Sequence, residues 1–231
     1  MPSALWSLVM SGFIVIGAKS SVSPYGALGT AFDATRAHAI GYTLDGWEPL
    51  LKDGDGHAAL AGLALDVAHR AHLHGAVRLT KGPGFQKAEV VQSQRGIKTE
   101  MIVERLASGG TYVVLHHASG YGFYGIGQSV LWAKNLLSQE GNSTHLCLTL
   151  EGYVRNLPPS QQMKGIDKAL AAVHARALSS RRVSATTYVL QSANVIGWPC
   201  HPMHVQIVMH REPNDAVTKV LVGTPVVTAK Y

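Results

Sequence analysis

The sequence predicts an α/β (α+β) domain in which a central mixed β-sheet is flanked by helices. Three observations point there. Short β-branched or apolar runs recur at Gly12–Ala18, Thr111–His116 and Thr144–Leu150, each the length of a strand. Longer segments between them carry apolar residues three and four positions apart, the period of one helix face. Glycine or proline clusters separate the two kinds of segment. Alternation of this kind is satisfied by helices laid against one sheet.

Taken in order, Gly12–Ala18 (GFIVIGA) reads as a core strand and Ser20–Gly29 as a loop around Pro24. Thr30 is placed to cap a short helix reaching about Ile40 and stopping at Gly41. Asp53-Gly54-Asp55-Gly56 reads as a turn, because the rest of a calcium-loop pattern and its distal glutamate are missing. His57–His74 is a helix with Gly75 as its stop, and Leu60, Leu63, Val67 and Ala71 share a face. Ala76–Thr80 reads as a strand, Lys81–Gly84 as a loop, and Thr99–Leu106 as a short helix ended by Gly109-Gly110. Thr111–His116 is a strand, Gly120–Gly127 a glycine- and aromatic-rich loop, and Gln128–Gln139 a helix. After Thr144–Leu150 come Pro158-Pro159 and then Ser160, placed to cap a helix whose Met163, Ile166, Leu170 and Val173 form one stripe. Ala185–Leu190, Met203–Met209 and Val226–Ala229 read as strands. The chain reads as a single domain, 1–231, with 48–108 as a candidate insertion, and no internal repeat is evident in the residues.

Composition narrows the function. The chain has 231 residues, 20 Lys+Arg against 14 Asp+Glu, and a net charge of +6. That balance favours acidic partners, yet no basic run exceeds Arg181-Arg182, so a dedicated nucleic-acid stripe is disfavoured. Two cysteines, Cys147 and Cys200, exclude a disulfide-stapled scaffold. Leu5–Ala18 is apolar but interrupted by Ser7, Ser11 and Gly12, and falls short of the ~20 residues of a membrane span. It reads as a structural strand rather than a signal peptide. The glycines of Gly120–Gly127 lack phosphate-loop spacing, and Ser129 lacks the flanking glycine of a nucleophile elbow. Asp33, Asp45, Asp66, Asp167 and Asp215 are scattered without a paired-carboxylate pattern. Trp47, Trp132 and Trp198 read as packing anchors.

Twelve histidines stand out, since imidazole is the commonest metal ligand. The densest group is Cys200-His201-Pro202-Met203-His204, and His116-His117 closes the strand TYVVLH. Zinc needs about four N, S or O donors, so Cys200, His201, His204, His116 and His117 are the candidate ligands. His69 and His72 read as a solvated helix edge.

The order THLCLTLEG, Pro-Pro-Ser-Gln-Gln and amphipathic helix over 144–178 resembles the later half of the zinc-dependent N-acetylmuramoyl-L-alanine amidases and peptidoglycan recognition proteins. In the register that places Gly110–Val114 at that family's central strand, Gly12–Ser21 takes the opening strand. The resemblance then implies ligand positions at Gly17 and near Ser192, where no histidine stands, while Cys200 in WPCHP survives and Tyr112 takes the central tyrosine's place. It therefore implies an amidase-like fold without a working zinc site, and no cofactor. The expected function is a structural or interaction component of a larger assembly, such as a viral particle, whose partners are protein subunits. The alternative is an active zinc hydrolase that cleaves peptidoglycan amides through Cys200, His201 or His204 joined by His116 or His117.

Overall fold

The computed structural model describes residues 24–50, 60–139, 145–182, 187–193, 204–211, 216–225 and 227. Their order is α1 (Pro24–Ala34), β1 (His38–Pro49), α2 (Leu60–Arg70), β2 (Val77–Gly82), β3 (Phe85–Gln94), β4 (Ile97–Leu106) and β5 (Thr111–Ser119). There follow α3 (Ile126–Ser138), β6 (His145–Arg155), α4 (Pro159–Ala172), β7 (Arg176–Arg182), β8 (Thr187–Ala193), β9 (Val205–Arg211) and β10 (Val217–Thr224). This is the α+β architecture the sequence predicts, but the sheet is antiparallel in every pairing rather than mixed. Its order is β2-β3-β4-β5-β1-β6-β10-β9-β8-β7.

That order is symmetric about the β1–β6 junction. The run β1-α2-β2-β3-β4-β5 recurs as β6-α4-β7-β8-β9-β10, and α1 and α3 precede the two copies. Finer details repeat as well. Gly46 on β1 lies under Leu137 of α3, and Gly152 on β6 lies under Phe32 of α1. Each half's leading helix thus packs on the other half's first strand, interlocking the two. The ends of α2 and α4 match too. His72 and His174 take φ of 56° and 50°, and the next amides, Leu73 and Ala175, close back onto the carbonyls of Ala68 and Leu170 at 2.8 and 2.9 Å. These are paired Schellman turns. The internal repeat is invisible in the residues because the halves share geometry and little side-chain identity.

Residues 48–108 are not an addition to a complete sheet, since they supply α2 and the three strands β2, β3 and β4. Thr99–Leu106 is strand, not helix: Thr99, Met101 and Val103 are buried while Lys98, Glu100 and Ile102 lie on the other side, a period of two. The first helix ends at Ala34, not Ile40, and Gly41 is a strand residue. The last helix ends at Ala172 and is led by Pro158 with no side-chain cap, so Ser160 is not its N-cap. The expected strands at 12–18 and 226–229 and the turn at 53–56 lie outside the described residues.

Tyr42, Leu44, Met101, Val113, Leu115, Leu148, Leu150, Ile207 and Val222 join Phe32, Leu137 and Ile166 in one buried core between sheet and helices. All four described helices lie on this face, and none of them covers the opposite face of β4, β5, β1 and β6, called below the helix-free face.

Candidate functional site

Because strand side chains alternate, the helix-free face can be followed row by row across the sheet. One row runs Glu100, His116, Asp45, Cys147 on β4, β5, β1 and β6. The row beside it runs Ile102, Val114, Trp47, His145, and beyond the polar row lie Lys98, Ala118, Thr43 and Thr149. An aromatic strip therefore lies beside an acid–base strip.

His116 is the chemical centre. Its Nδ1 is 2.6 Å from Asp45 Oδ1, and both side chains are partly open to solvent. The hydrogen bond to Asp45 raises the His116 pKa above its ordinary value, against an opposing effect of burial, with the charges of Asp45 and Glu100 adding to the rise. Asp45 thus favours the imidazolium, occupies Nδ1 and leaves Nε2 as the open position. Trp47 is 40 % exposed and stacks on His145, with ring centroids 5.0 Å apart and planes inclined by 12°. Asp45 and Trp47 are two apart on β1, so their partners His116 and Val114 are also adjacent on this face, and Trp47 is a diagonal neighbour of His116. An open cleft of about 450 Å³ adjoins the polar strip and is lined in part by Thr43, Lys98, Ala118 and Glu151. There Thr43 donates to Glu151 Oε1 at 2.7 Å, and Lys219 lies 3.9 Å from Oε2 of the same carboxylate.

The repeat shows that the row's imidazole belongs to one half only. Glu151 pairs with Leu221 on β10 as Asp45 pairs with His116 on β5. Where the first half has an imidazole, the second has a fully buried leucine.

Among the described residues, the candidate zinc ligands His116, His117 and His204 do not assemble. His116 and His117 are consecutive on β5 and so point to opposite faces. His117 faces the helices, is buried, and has its Nδ1 2.9 Å from Thr99 Oγ1. Its ring lies 5.4 Å from that of Trp132 and 6.1 Å from that of Tyr42. Burial, and then the nearby His116 charge, push its pKa down. His204 is exposed just before β9, while Cys200 and His201 lie outside the described residues. Among the described residues no three His, Cys, Asp or Glu side chains converge as a metal site would need. The described donors do not fit a zinc centre.

Sequence reading missed Asp45 as the partner of His116, because the two are far apart in the chain and meet only through β1–β5 pairing. The signal present was the alternation Thr43, Asp45, Trp47, which sets three functional types on one face. Trp47 is half-exposed rather than a core anchor. Ser129, no nucleophile elbow, pairs its hydroxyl with Tyr42 at 2.7 Å beneath α3.

No protein-family model and no curated protein matches the chain. Among solved structures it is similar to the DynU16 crystal structure, a putative protein in the dynemicin biosynthetic locus. The identity is 9%, over 80% of this chain and 86% of that one, with a TM-score of 0.22. No helix among the described residues is long and apolar enough to cross a membrane.

Proposed function

We propose that this chain acts by binding, as an interaction component, and that the helix-free face of β4, β5, β1 and β6 takes an uncharged planar ligand or the planar group of a partner. The observation that carries this reading is the 2.6 Å His116–Asp45 pair set diagonally beside the exposed Trp47 ring. Trp47 supplies a stacking surface, and His116, held at Nδ1 by Asp45, supplies a polar ring edge for a heteroatom of the ligand. The charges of this face around His116 balance, Asp45 against His116 at 2.6 Å and Glu100 against Lys98 at 3.2 Å, so it offers no net charge there to draw in a phosphate or carboxylate.

This reading keeps the binding role that the sequence suggests and assigns no hydrolytic step. The plain alternative is a surface ion-pair ladder, of the kind formed by Lys98 with Glu100 and Lys87 with Glu89, both at 3.2 Å. The test titrates the protein with uncharged planar heterocycles (nicotinamide, caffeine and uracil) and reads the His116 ring signals and tryptophan emission. At least one should move both in the native protein and neither in Trp47→Ala. If none shifts the His116 signals at millimolar concentration, the proposal fails.

A further inference from the structure

The second half of the sheet repeats the first half's aromatic row with different neighbours. On the side of the sheet away from the helices, His38, Tyr153, Lys219 and His210 stand opposite one another in one row across β1, β6, β10 and β9. Val154, Val220 and Met209 belong to the packing between sheet and helices, so alternation turns Tyr153, Lys219 and His210 the other way. The His38 and Tyr153 rings are 5.2 Å apart, and the Arg155 guanidinium lies 5.8 Å from the centre of the Tyr153 ring. Glu151 is the one acid among the described residues of β6, β8, β9 and β10. Its carboxylate lies 3.9 Å from Lys219 Nζ and also accepts from Thr43 at 2.7 Å. This corner thus sets two cations and two imidazoles against one carboxylate.

In the first half the equivalent row is His145, Trp47, Val114 and Ile102. The aromatic ring and its histidine are kept, while valine and isoleucine stand where Lys219 and His210 stand. The same places in the same strand pattern accept apolar side chains, so the sheet does not itself require the basic ones.

We propose that this corner binds an oligophosphate, the linked phosphates of a small molecule, along the row from His38 to His210. Neighbouring strands are about 4.8 Å apart, so the row spans about 14 Å. That is longer than one phosphate or carboxylate and suits two or three phosphates in line. Arg155 grips a phosphate with its planar fork, Lys219 supplies a point charge in the middle of the row, and the Tyr153 hydroxyl and the imidazoles supply further donors. His38 and Trp47 stand near opposite ends of β1, about 30 Å apart in an extended strand. The site is therefore separate from the one proposed around His116 and does not depend on it.

Calorimetric titration of the whole protein with triphosphate, orthophosphate and adenosine triphosphate tests the proposal, at low ionic strength where exposed charges are least screened. Amide chemical shifts locate the site. Triphosphate should bind at least tenfold more tightly than orthophosphate and move the amides around Tyr153 and Lys219, leaving the His116 ring signals in place. Affinity for adenosine triphosphate no greater than this makes free linked phosphates the ligand, and greater affinity makes the ligand the tail of a nucleotide. Lys219→Val, which installs the first half's residue, and Arg155→Gln, on an exposed side chain, should each weaken triphosphate binding about tenfold. Arg78→Gln on the remote strand β2 should not. Unchanged amide shifts on β4 and β5 verify that each variant is folded. An equal loss in Arg78→Gln, which would mean unspecific attraction to a basic protein, overturns the proposal. So does a lack of preference for triphosphate over orthophosphate, or shifts centred on other strands.

Discussion

Replacing Gly152 with alanine sets two effects of opposite sign against each other. Alanine in a strand interior is favoured over glycine by roughly 0.5–1 kcal/mol, through lost backbone freedom in the unfolded chain. Against this, a β-carbon at Gly152 would run into the Phe32 ring and lie 2.5 Å from the main-chain oxygen of His38. The ring belongs to a fully buried side chain, and the oxygen belongs to the strand next door, so neither can yield cheaply. Overpacking of this kind costs about 1–3 kcal/mol, and the rigid neighbours place Gly152→Ala toward the upper part of that range, a net loss of about 1–2 kcal/mol. At the equivalent Gly46 the nearest atom is the Leu137 Cδ1 methyl at 2.5 Å, with the His145 oxygen at 3.2 Å. A methyl at the end of a leucine can rotate away, so Gly46→Ala should cost less. Urea unfolding followed by far-ultraviolet circular dichroism measures both, and Phe32→Leu combined with Gly152→Ala should recover part of the loss. If Gly152→Ala is neutral or stabilising, or costs less than Gly46→Ala, the interlocking of α1 on β6 is not as tight as argued.

Five further outcomes follow from the same geometry. Asp45→Asn removes the hydrogen bond and charge that raise His116, so its pKa should fall in an NMR titration; an unmoved value would show that Asp45 does not set it. Because the folded pKa of His116 is raised, its stabilising contribution is full below its unfolded value of about 6.5 and is lost as pH rises through the raised value. His117 has the opposite sign, its folded pKa being depressed, so stability should decline as pH falls below about 6.5, and His117→Phe should flatten that limb. Tyr42→Phe should cost about 1 kcal/mol by stripping Ser129 of its partner, with Tyr42→Phe and Ser129→Ala less than additive in urea unfolding. His72→Gly and His174→Gly should each raise the melting temperature, since relief of a left-handed conformation worth roughly 1–2 kcal/mol exceeds the glycine entropy cost of about 0.5–1 kcal/mol.

Local chemistry was legible where it is self-contained. The apolar run at 145–150, the strand at 111–116 and the helix after Pro158-Pro159 all appear in place, because periodicity and proline act over a few residues. Helix ends differ from the sequence expectation for a specific reason: α1, α2 and α4 end two residues before Arg36, His72 and His174, each at positive φ, while the sequence rule looks for glycine at that position. Strand β4 is ambiguous in sequence, because IKTEMIVERL mixes charged and apolar residues in a way that fits either period until its neighbours are known. The site was half-legible. His116 was singled out, but for a metal, and its true partner was hidden because Asp45 lies 71 residues away in sequence. Pairing of antiparallel strands joins residues at any separation, and nothing local in either segment announces it.

The repeat sharpens the argument for function on the helix-free face. Two halves with matching strand order, matching glycines under matching helices and matching left-handed helix ends are under the same packing demands, and packing alone would let them carry similar residues at equivalent points. On the helix side they do: Leu44 and Leu150, each two residues before its half's matching glycine, are both buried. On the other side they keep an acid, Asp45 or Glu151, and an aromatic–histidine contact, Trp47 with His145 or Tyr153 with His38, and diverge where His116 stands in one half and Leu221 in the other. A buried leucine at Leu221 shows that the position accepts an apolar side chain in this architecture, so the fold does not require an imidazole at His116. Its polar character therefore answers to something other than the sheet. His116→Leu copies the second half's solution into the first and should leave urea stability within about 1 kcal/mol, as isolated partly exposed pairs contribute little, while abolishing heterocycle-induced shifts at Trp47. Loss of the fold in that variant would mean that the pair is structural, and the binding proposal would lose its main support.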